Sequence, residues 1–468
     1  MVPAQHRRKG DAKRRAALPG QIGDLAAQVI FGGADSPGRL PAPAGAWPRY
    51  AGVDLPPPTR LGFAPPEAVD WKTDRLIPAL EAIIQEGLDS LAYPGCQLLV
   101  ARHGQVVLHR AYGHFTYQNQ RPVQLGDLYD FASMTKITGP LPGLMWLQDQ
   151  GRFDPDWPLV RIAPYLKGSN KAGLSLREVL AHQARLQPYI AHQTKVLRRN
   201  GRYRCRTLQR DSSDTYPVRI AAGLYLHRRY RKVILRRIRR SPLRKEAGYR
   251  YAGLSFFLYP DYISRQTGEP YDQWTQAHIY QPLGAWSLQY NPWRQLPADH
   301  MAPTEYDSTF RQQLVQGYVH DEAAAMFGGV SGNAGLFGTA LDLAKLMQCY
   351  QQGGQYGPDR LISAATLAEW TRYQYPEQGN RRGLGFDKPP LPGQSESYMA
   401  PSASPASFGH TGFTGTFAWA DPESGILLVW MTNRVYPSRA HSQLQSLALR
   451  KRLHETLYQQ LPGYQKIN

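Results

Sequence analysis

The sequence predicts an α+β protein of two lobes, in which an antiparallel β-sheet flanked by helices adjoins a mainly helical lobe. Three observations predict it. The run CQLLVARHGQVVLHRAYG alternates on either side of His103-Gly104, the pattern of a β-hairpin. Far along the chain, FGHTGFTGTFAWADPESGILLVWMTNR alternates again and reads as two strands joined at Pro-Glu-Ser-Gly, with His410-Thr411-Gly412 on the first. These two pairs are expected to share one sheet. About 400 residues beyond the N-terminal region are too many for one simple core, which calls for two lobes with a cleft between them.

The elements follow in order. Residues 1–68 are basic at the start and then Pro-rich, and read as a tail or linker ahead of a domain at 69–468. IPALEAIIQEG, from Ile77 to Gly87, has the spacing of an amphipathic helix. A helix beginning at Ser133 meets Pro140 and Pro142, so it must bend or restart before LMWLQDQG. The second lobe is expected from roughly Leu141 to Leu346, with TALDLAKLMQCY as a helix near its end. A closing helix near Ser442 to Gln459 should cover the sheet.

Charge is concentrated. The 468 residues carry a net +19. From Lys195 to Lys245 there are 18 Lys/Arg against two Asp, and the first 15 residues hold six against one, so the rest of the chain is slightly acidic. The basic insertion spans about 190–247, and its segment HRRYRKVILRRIRRSPLRK places Tyr230, Val233, Ile234 and Ile238 on one helix face. Falling between the His182 segment and Tyr251, it should sit near a cleft mouth. Such a block suits an anionic polymer, a membrane surface or an acidic substrate, or it is a solvated helix packed by its apolar face. With few aromatics for stacking and no recognised motif, no specific nucleic acid is expected. Cys96, Cys205 and Cys349 lack metal-type or disulfide spacing and read as free thiols. No run has the length of a membrane span, and no signal peptide is evident.

The chemistry centres on Ser133-Met134-Thr135-Lys136. A serine followed one turn later by a lysine puts nucleophile and base on one helix face, where a neutral Lys136 amine can take the Ser133 proton. The spacing alone is common, so companion segments decide. Tyr251, in Tyr251-Ala252-Gly253 at the start of an apolar run, is a second candidate base. A glycine-rich loop runs from Gly328 to Phe337, and small residues after His410 let a carbonyl approach backbone N–H groups.

In this order the segments resemble the serine β-lactamase and penicillin-binding-protein superfamily, in its class C β-lactamase, DD-peptidase and esterase branch. The resemblance runs from about Val69 to the C-terminus and includes LSLREVLAHQARLQP and NAGLFGTALDLAKLM. It implies a β-lactamase/transpeptidase-like fold. It also implies Ser133, Lys136 and Tyr251 as catalytic residues and the backbone N–H groups of Ser133 and Phe413 as the oxyanion site. His410, Thr411, Gly412 and Gly253 would be substrate-binding positions. Neither metal nor cofactor is implied, and the resemblance points outside the cytoplasm. Two positions depart from the pattern: Gly253 replaces an asparagine, and His410 stands where β-lactamases have lysine. Both speak against efficient β-lactam hydrolysis. Upstream, QIGDLAAQVIFGGADSPGRLPAPAGAWPRYAGVDLPPPTRLGFAPPEAVD resembles the closing part of a family 3 glycoside hydrolase fused to such a domain, a remnant without its barrel and so without glycosidase activity. Three readings stay open. The chain is a serine hydrolase acting through an acyl-enzyme on a peptide, ester or amide, a pseudoenzyme holding a cell-wall fragment, or a polyanion-binding protein.

Overall fold

A computed structural model describes residues 18–34, 39–40, 42–52, 59–394 and 397–464, and the basic opening stretch lies outside them. Alternating apolar residues build a six-stranded sheet. Its strands are β1 (Gly62–Phe63), β2 (Gly95–Arg102), β3 (Gln105–Gly113), β4 (Phe408–Thr411), β5 (Phe417–Ala420) and β6 (Ile426–Thr432). The order is β1-β3-β2-β6-β5-β4, antiparallel throughout except for the edge pair β1 and β3. His103 and Gly104 turn the β2–β3 hairpin with φ of 50° and 78°, the left-handed geometry that matches strand twist.

The pleat sorts each strand between two cores. Leu98, Val100, Leu428 and Trp430 face α1 (Thr73–Asp89) and the C-terminal helix Leu449–Gln459. Leu99, Ala101, Leu427 and Val429 face the opposite way, toward Leu343 and Met347 of α2 (Ala340–Gln351) and the second lobe. That lobe packs helices Pro140–Asp149 and Tyr259–Thr267 around one apolar cluster, with a small three-stranded ribbon of Tyr129–Asp130, Leu336–Gly338 and Gln289–Tyr290 joining it to the sheet.

Two expectations change in detail, and the expected helix restart holds. The late alternating segment forms three strands, because the chain reverses at Gly412–Thr416, where Gly412 N–H donates to Thr416 O at 2.8 Å; Gly412 therefore lies in a turn. Gly415, at φ 120°, makes that reversal possible. The nucleophile helix stops at Gly139 and restarts with Pro140 in its first turn, where a missing N–H costs nothing. The basic insertion holds the expected helix, Tyr230–Arg240, with Tyr230, Ile234 and Ile238 buried, but a ribbon of Leu208–Gln209, Val218–Ala221 and Leu224–Leu226 precedes it.

The N-terminal segment covers the sheet edge. Gln28 Oε1 accepts from Phe63 N–H at 2.6 Å, and Gln105 Nε2 donates to Gly33 O at 3.0 Å. Gly62 is required there, since a Cβ would stand 1.9 Å from Gly33 O. No helix among the described residues is long and apolar enough to cross a membrane. Cys96 and Cys349 are buried and Cys205 exposed, all three unpaired.

Candidate active site

Ser133 sits in a single 3-10 turn, Ala132–Met134, directly after Tyr129–Asp130. Ala132 has φ 46°, a left-handed conformation that costs a residue with a side chain about 1–2 kcal/mol. Asp130 holds it: one carboxylate oxygen accepts from Ala132 N–H at 2.8 Å and the other from His320 N–H at 2.6 Å. Burial pushes the Asp130 carboxyl above its ordinary range, although both backbone bonds work the other way.

Lys136 is only 2% exposed. Its Nζ lies 2.9 Å from Ser133 Oγ and 3.0 Å from the carbonyl oxygen of Asn333. A neutral amine can donate to that carbonyl while offering its lone pair to the serine hydroxyl. The glycine-rich loop is fixed against the nucleophile turn by Leu336 N–H donating to Thr135 Oγ1 at 3.1 Å and Phe131 N–H donating to Leu336 O at 3.0 Å. A Cβ on Gly253 would stand 3.9 Å from Lys136 Nζ, so this position faces the amine without a side chain to bond it. The Asn333 carbonyl is the partner that remains.

Tyr251 precedes the 3-10 turn Leu254–Phe257 and lines the same cavity as Ser133 and Lys136. Its hydroxyl is buried and has no hydrogen-bond partner among the described residues. Around its ring stand the His182 ring at 4.6 Å, the His410 ring at 5.8 Å, Lys136 Nζ at 5.3 Å and Arg382 Cζ at 5.7 Å. His182 belongs to the LSLREVLAHQARLQP segment and fastens the tyrosine loop, accepting from Ala252 N–H at Nδ1 (3.2 Å) and from Arg250 N–H at its carbonyl (3.0 Å).

The end of β4 is fastened to the nucleophile turn. Thr414 Oγ1 donates to Asp130 O at 2.7 Å and Thr416 Oγ1 to Phe131 O at 3.1 Å. Only glycine fits at 412, where a Cβ would meet Phe131 O at 2.4 Å. Among the described residues, no turn or loop bond engages the backbone N–H groups of Ser133 and Phe413, the two groups expected to form an oxyanion site. The Phe413 ring stacks on His320 and lies 4.6 Å from Arg434 Cζ.

These groups open into a cavity of about 390 Å³ whose wall includes Ser133, Lys136, Tyr251, Gly253 and Phe413. His410, Thr411 and Gly412 are not part of that wall. His410 lies just behind Tyr251, and its Nδ1–H donates to Thr411 O at 2.7 Å, which leaves Nε2 buried and without a partner among the described residues. Burial, with Arg382 and Lys136 nearby, lowers its pKa to about 3, so at neutral pH it carries no charge with which to hold an anion.

The sequence reading missed two networks. Glu305 accepts from His320 at 2.6 Å and from Arg439, which also pairs with Glu322 at 2.8 Å; despite burial, these bonds hold Glu305 down at about 2. Arg382, 1% exposed, pairs with Asp387 at 3.1 Å behind Tyr251. The Glu305 network joins residues 15 and 134 positions apart and gives no local signal, and Arg382 and Asp387, though close in sequence, stand in the polar run EQGNRRGLGFDK, which does not announce a buried pair.

Buried neutral imidazoles set a pH dependence of stability. Burial lowers His410 and His454 to about 3 and His192 to about 4, against an ordinary 6.5. As pH falls below 6.5 the unfolded chain binds protons that the folded chain refuses, so stability is full above that value and is lost toward the folded values. The loss is about 2 kcal/mol per imidazole at pH 5. Urea midpoints are expected to fall steadily from about pH 6.5 to 4.5, with a shallower fall in His454→Gln. A midpoint constant over that range would contradict the assignment.

Comparison with known proteins identifies the family and the fold. The beta-lactamase family profile matches residues 80–450. A putative D-alanyl-D-alanine carboxypeptidase of Escherichia coli K12 is 28% identical over 412 residues, covering 81% of this chain and 86% of its own. Its Salmonella typhimurium counterpart is 28% identical over 417 residues, covering 82% of this chain and 88% of its own. Among solved structures, a penicillin-binding protein homologue from Caulobacter crescentus superposes with a TM-score of 0.58 at 20% identity, over 83% of this chain and 98% of its own. A family VIII carboxylesterase does so with 0.56 at 18%, over 86% and 99%. With the profile running through most of the chain, the protein belongs to the beta-lactamase family and is a serine hydrolase of that superfamily.

Proposed function

We propose that the protein cleaves an ester or a peptide bond through an acyl-enzyme on Ser133, with D-amino-acid peptides of the peptidoglycan type and esters as acyl donors and β-lactams as poor ones. The observation that carries this is the 2.9 Å contact between Lys136 Nζ and Ser133 Oγ at the floor of a cavity. Ser133 Oγ attacks the carbonyl carbon while its proton passes to neutral Lys136, and the N–H groups of Ser133 and Phe413 take up the oxyanion charge. Collapse of the tetrahedral species breaks the acyl bond, and the departing oxygen or nitrogen receives the proton by way of Lys136 and Tyr251. Water then enters; one proton returns through the same pair as the ester of Ser133 is hydrolysed, which regenerates the serine and releases the acid.

The unpartnered Tyr251 hydroxyl supports its place in this relay, since a buried phenol without a partner is available to a leaving group or a water. The bare Gly253 and the neutral, buried His410 both weaken the case for a β-lactam carrying a carboxylate. The carboxypeptidase names of the relatives and the esterase among the structural neighbours support peptide and ester donors. In the same reading the domain is 69–468, and residues 1–68 are an appendage whose described part, through Gln28, Gly33 and the short strand Gly62–Phe63, caps the sheet edge.

Intact-mass spectrometry tests the proposal. A fluorophosphonate is expected to add once to the wild type and not to Ser133→Ala, and a penicillin adduct is expected to persist rather than turn over. Absence of both adducts would leave a cleft that binds without catalysis.

A further inference from the structure

Beside the Ser133 cavity lies a second groove of about 450 Å³, and Tyr189 and Ile190 line both. Its other side is Arg236, Arg237 and Arg240 of the helix Tyr230–Arg240, and no carboxylate among the described residues lines it. The helix is held rigidly by its buried Tyr230, Ile234 and Ile238. Arg237 joins the two spaces, donating to Ala191 O at 3.0 Å and lying 3.4 Å from Nδ1 of His192, a residue of the Ser133 cavity. Arg231 on the same helix pairs with Asp261, but Arg236 and Arg240 have no acidic partner among the described residues. The Ser133 cavity mixes charges, Asp321 and Glu322 standing beside Lys136 and Arg439, whereas the charged lining of the groove beyond Tyr189 is arginine alone, which favours negative charge on a bound molecule there.

We infer that this groove is a subsite for an anionic group, a carboxylate or phosphate, carried by the acyl donor away from its scissile carbonyl. The inference rests on the reading of Ser133 as nucleophile and adds the charge class of the substrate. Guanidinium forks pair with either anion in two parallel bonds, and two unpaired arginines on successive turns of a helix present such forks side by side. The concentration of positive charge in a chain that is otherwise slightly acidic then has a stated purpose, as does its position at the cleft.

The test uses the full-length protein and two ester substrates of equal length, one ending in a carboxylate and the other in its carboxamide. At low salt the wild type is expected to show a KM about three- to tenfold lower for the carboxylate. Arg236→Gln/Arg240→Gln should erase that preference and leave kcat/KM for the carboxamide unchanged, which also reports that the variant is folded. High salt should act as the double substitution does. Equal KM values in the wild type, or a preference that survives the substitutions, would overturn the inference. Calorimetric binding of the same two molecules to Ser133→Ala reads the groove without turnover, so failure of the nucleophile assignment and failure of the groove are separable. Inorganic phosphate alone is expected to compete weakly; competition as strong as that of the carboxylate substrate would mark a site for free anions and sink the subsite.

Discussion

Lys136→Ala is expected to slow acylation of Ser133 by about two to four orders of magnitude while leaving the binding of a non-reacting analogue little changed. The serine hydroxyl needs a base in contact with it, and Lys136 Nζ at 2.9 Å is the one the hydroxyl bonds. The second bond, to the Asn333 carbonyl at 3.0 Å, aims the amine and will not substitute for it, because an amide oxygen is too weak a base to take the proton. Because the lysine stem is buried, Lys136→Met separates loss of the base from loss of packing. Lys136→Arg should be as inactive as either, since a guanidinium stays protonated and has no lone pair to offer. The measurement is single-turnover acylation by a chromogenic ester, with the deficit in kcat rather than KM. Wild-type acylation by Lys136→Ala would transfer the base role to Tyr251.

What the sequence made legible in this site is what is local. Ser133 and Lys136 share one turn, so their contact follows from spacing. The β2–β3 hairpin, the helix restart at Pro140 and the apolar stripe of Tyr230, Ile234 and Ile238 likewise follow from short-range pattern. What escaped depends on tertiary approach. Asn333 meets Lys136 across 197 residues through a backbone atom, which carries no side-chain identity to read. The resemblance points His410 at the substrate. Its burial, which decides its charge, depends on Tyr251, Arg382 and Asp387, all distant along the chain. The late segment reads as two strands and forms three because Gly412 and Gly415 suit a strand and a turn equally well until Phe131 O at 412 and Thr432 Oγ1 at 415 are seen to occupy the space a Cβ would need. The short strands of the insertion are too brief for alternation to register.

Asp387→Ala is expected to cost about 3–5 kcal/mol of stability, the penalty for leaving a buried guanidinium without its counterion. Asp387 is 4% exposed and pairs with Arg382 at 3.1 Å and Arg381 at 3.3 Å, and Tyr398 O–H donates to it as well. Burial alone would raise its carboxyl, but the two arginines and the phenol hold it below the ordinary carboxylate range, which means the charged form is the bonded one. The same residue fastens the strand edge, its backbone exchanging bonds of 2.9 Å and 3.0 Å with Gly409 of β4. Removing the carboxylate strands Arg382, whose side chain has one other polar bond among the described residues, to the Gly385 carbonyl at 2.9 Å, and which cannot lose its proton. Against a total of about 5–15 kcal/mol, such a loss moves a urea midpoint far enough to be unmistakable. Arg382→Met/Asp387→Leu should recover most of the stability, because a buried pair replaced by apolar groups of similar volume is close to neutral. A single substitution costing less than about 1 kcal/mol would mean that water reaches Arg382. Because Arg382 Cζ lies 5.7 Å from the Tyr251 ring, the recovered double variant also isolates the guanidinium's charge from its packing at the candidate base.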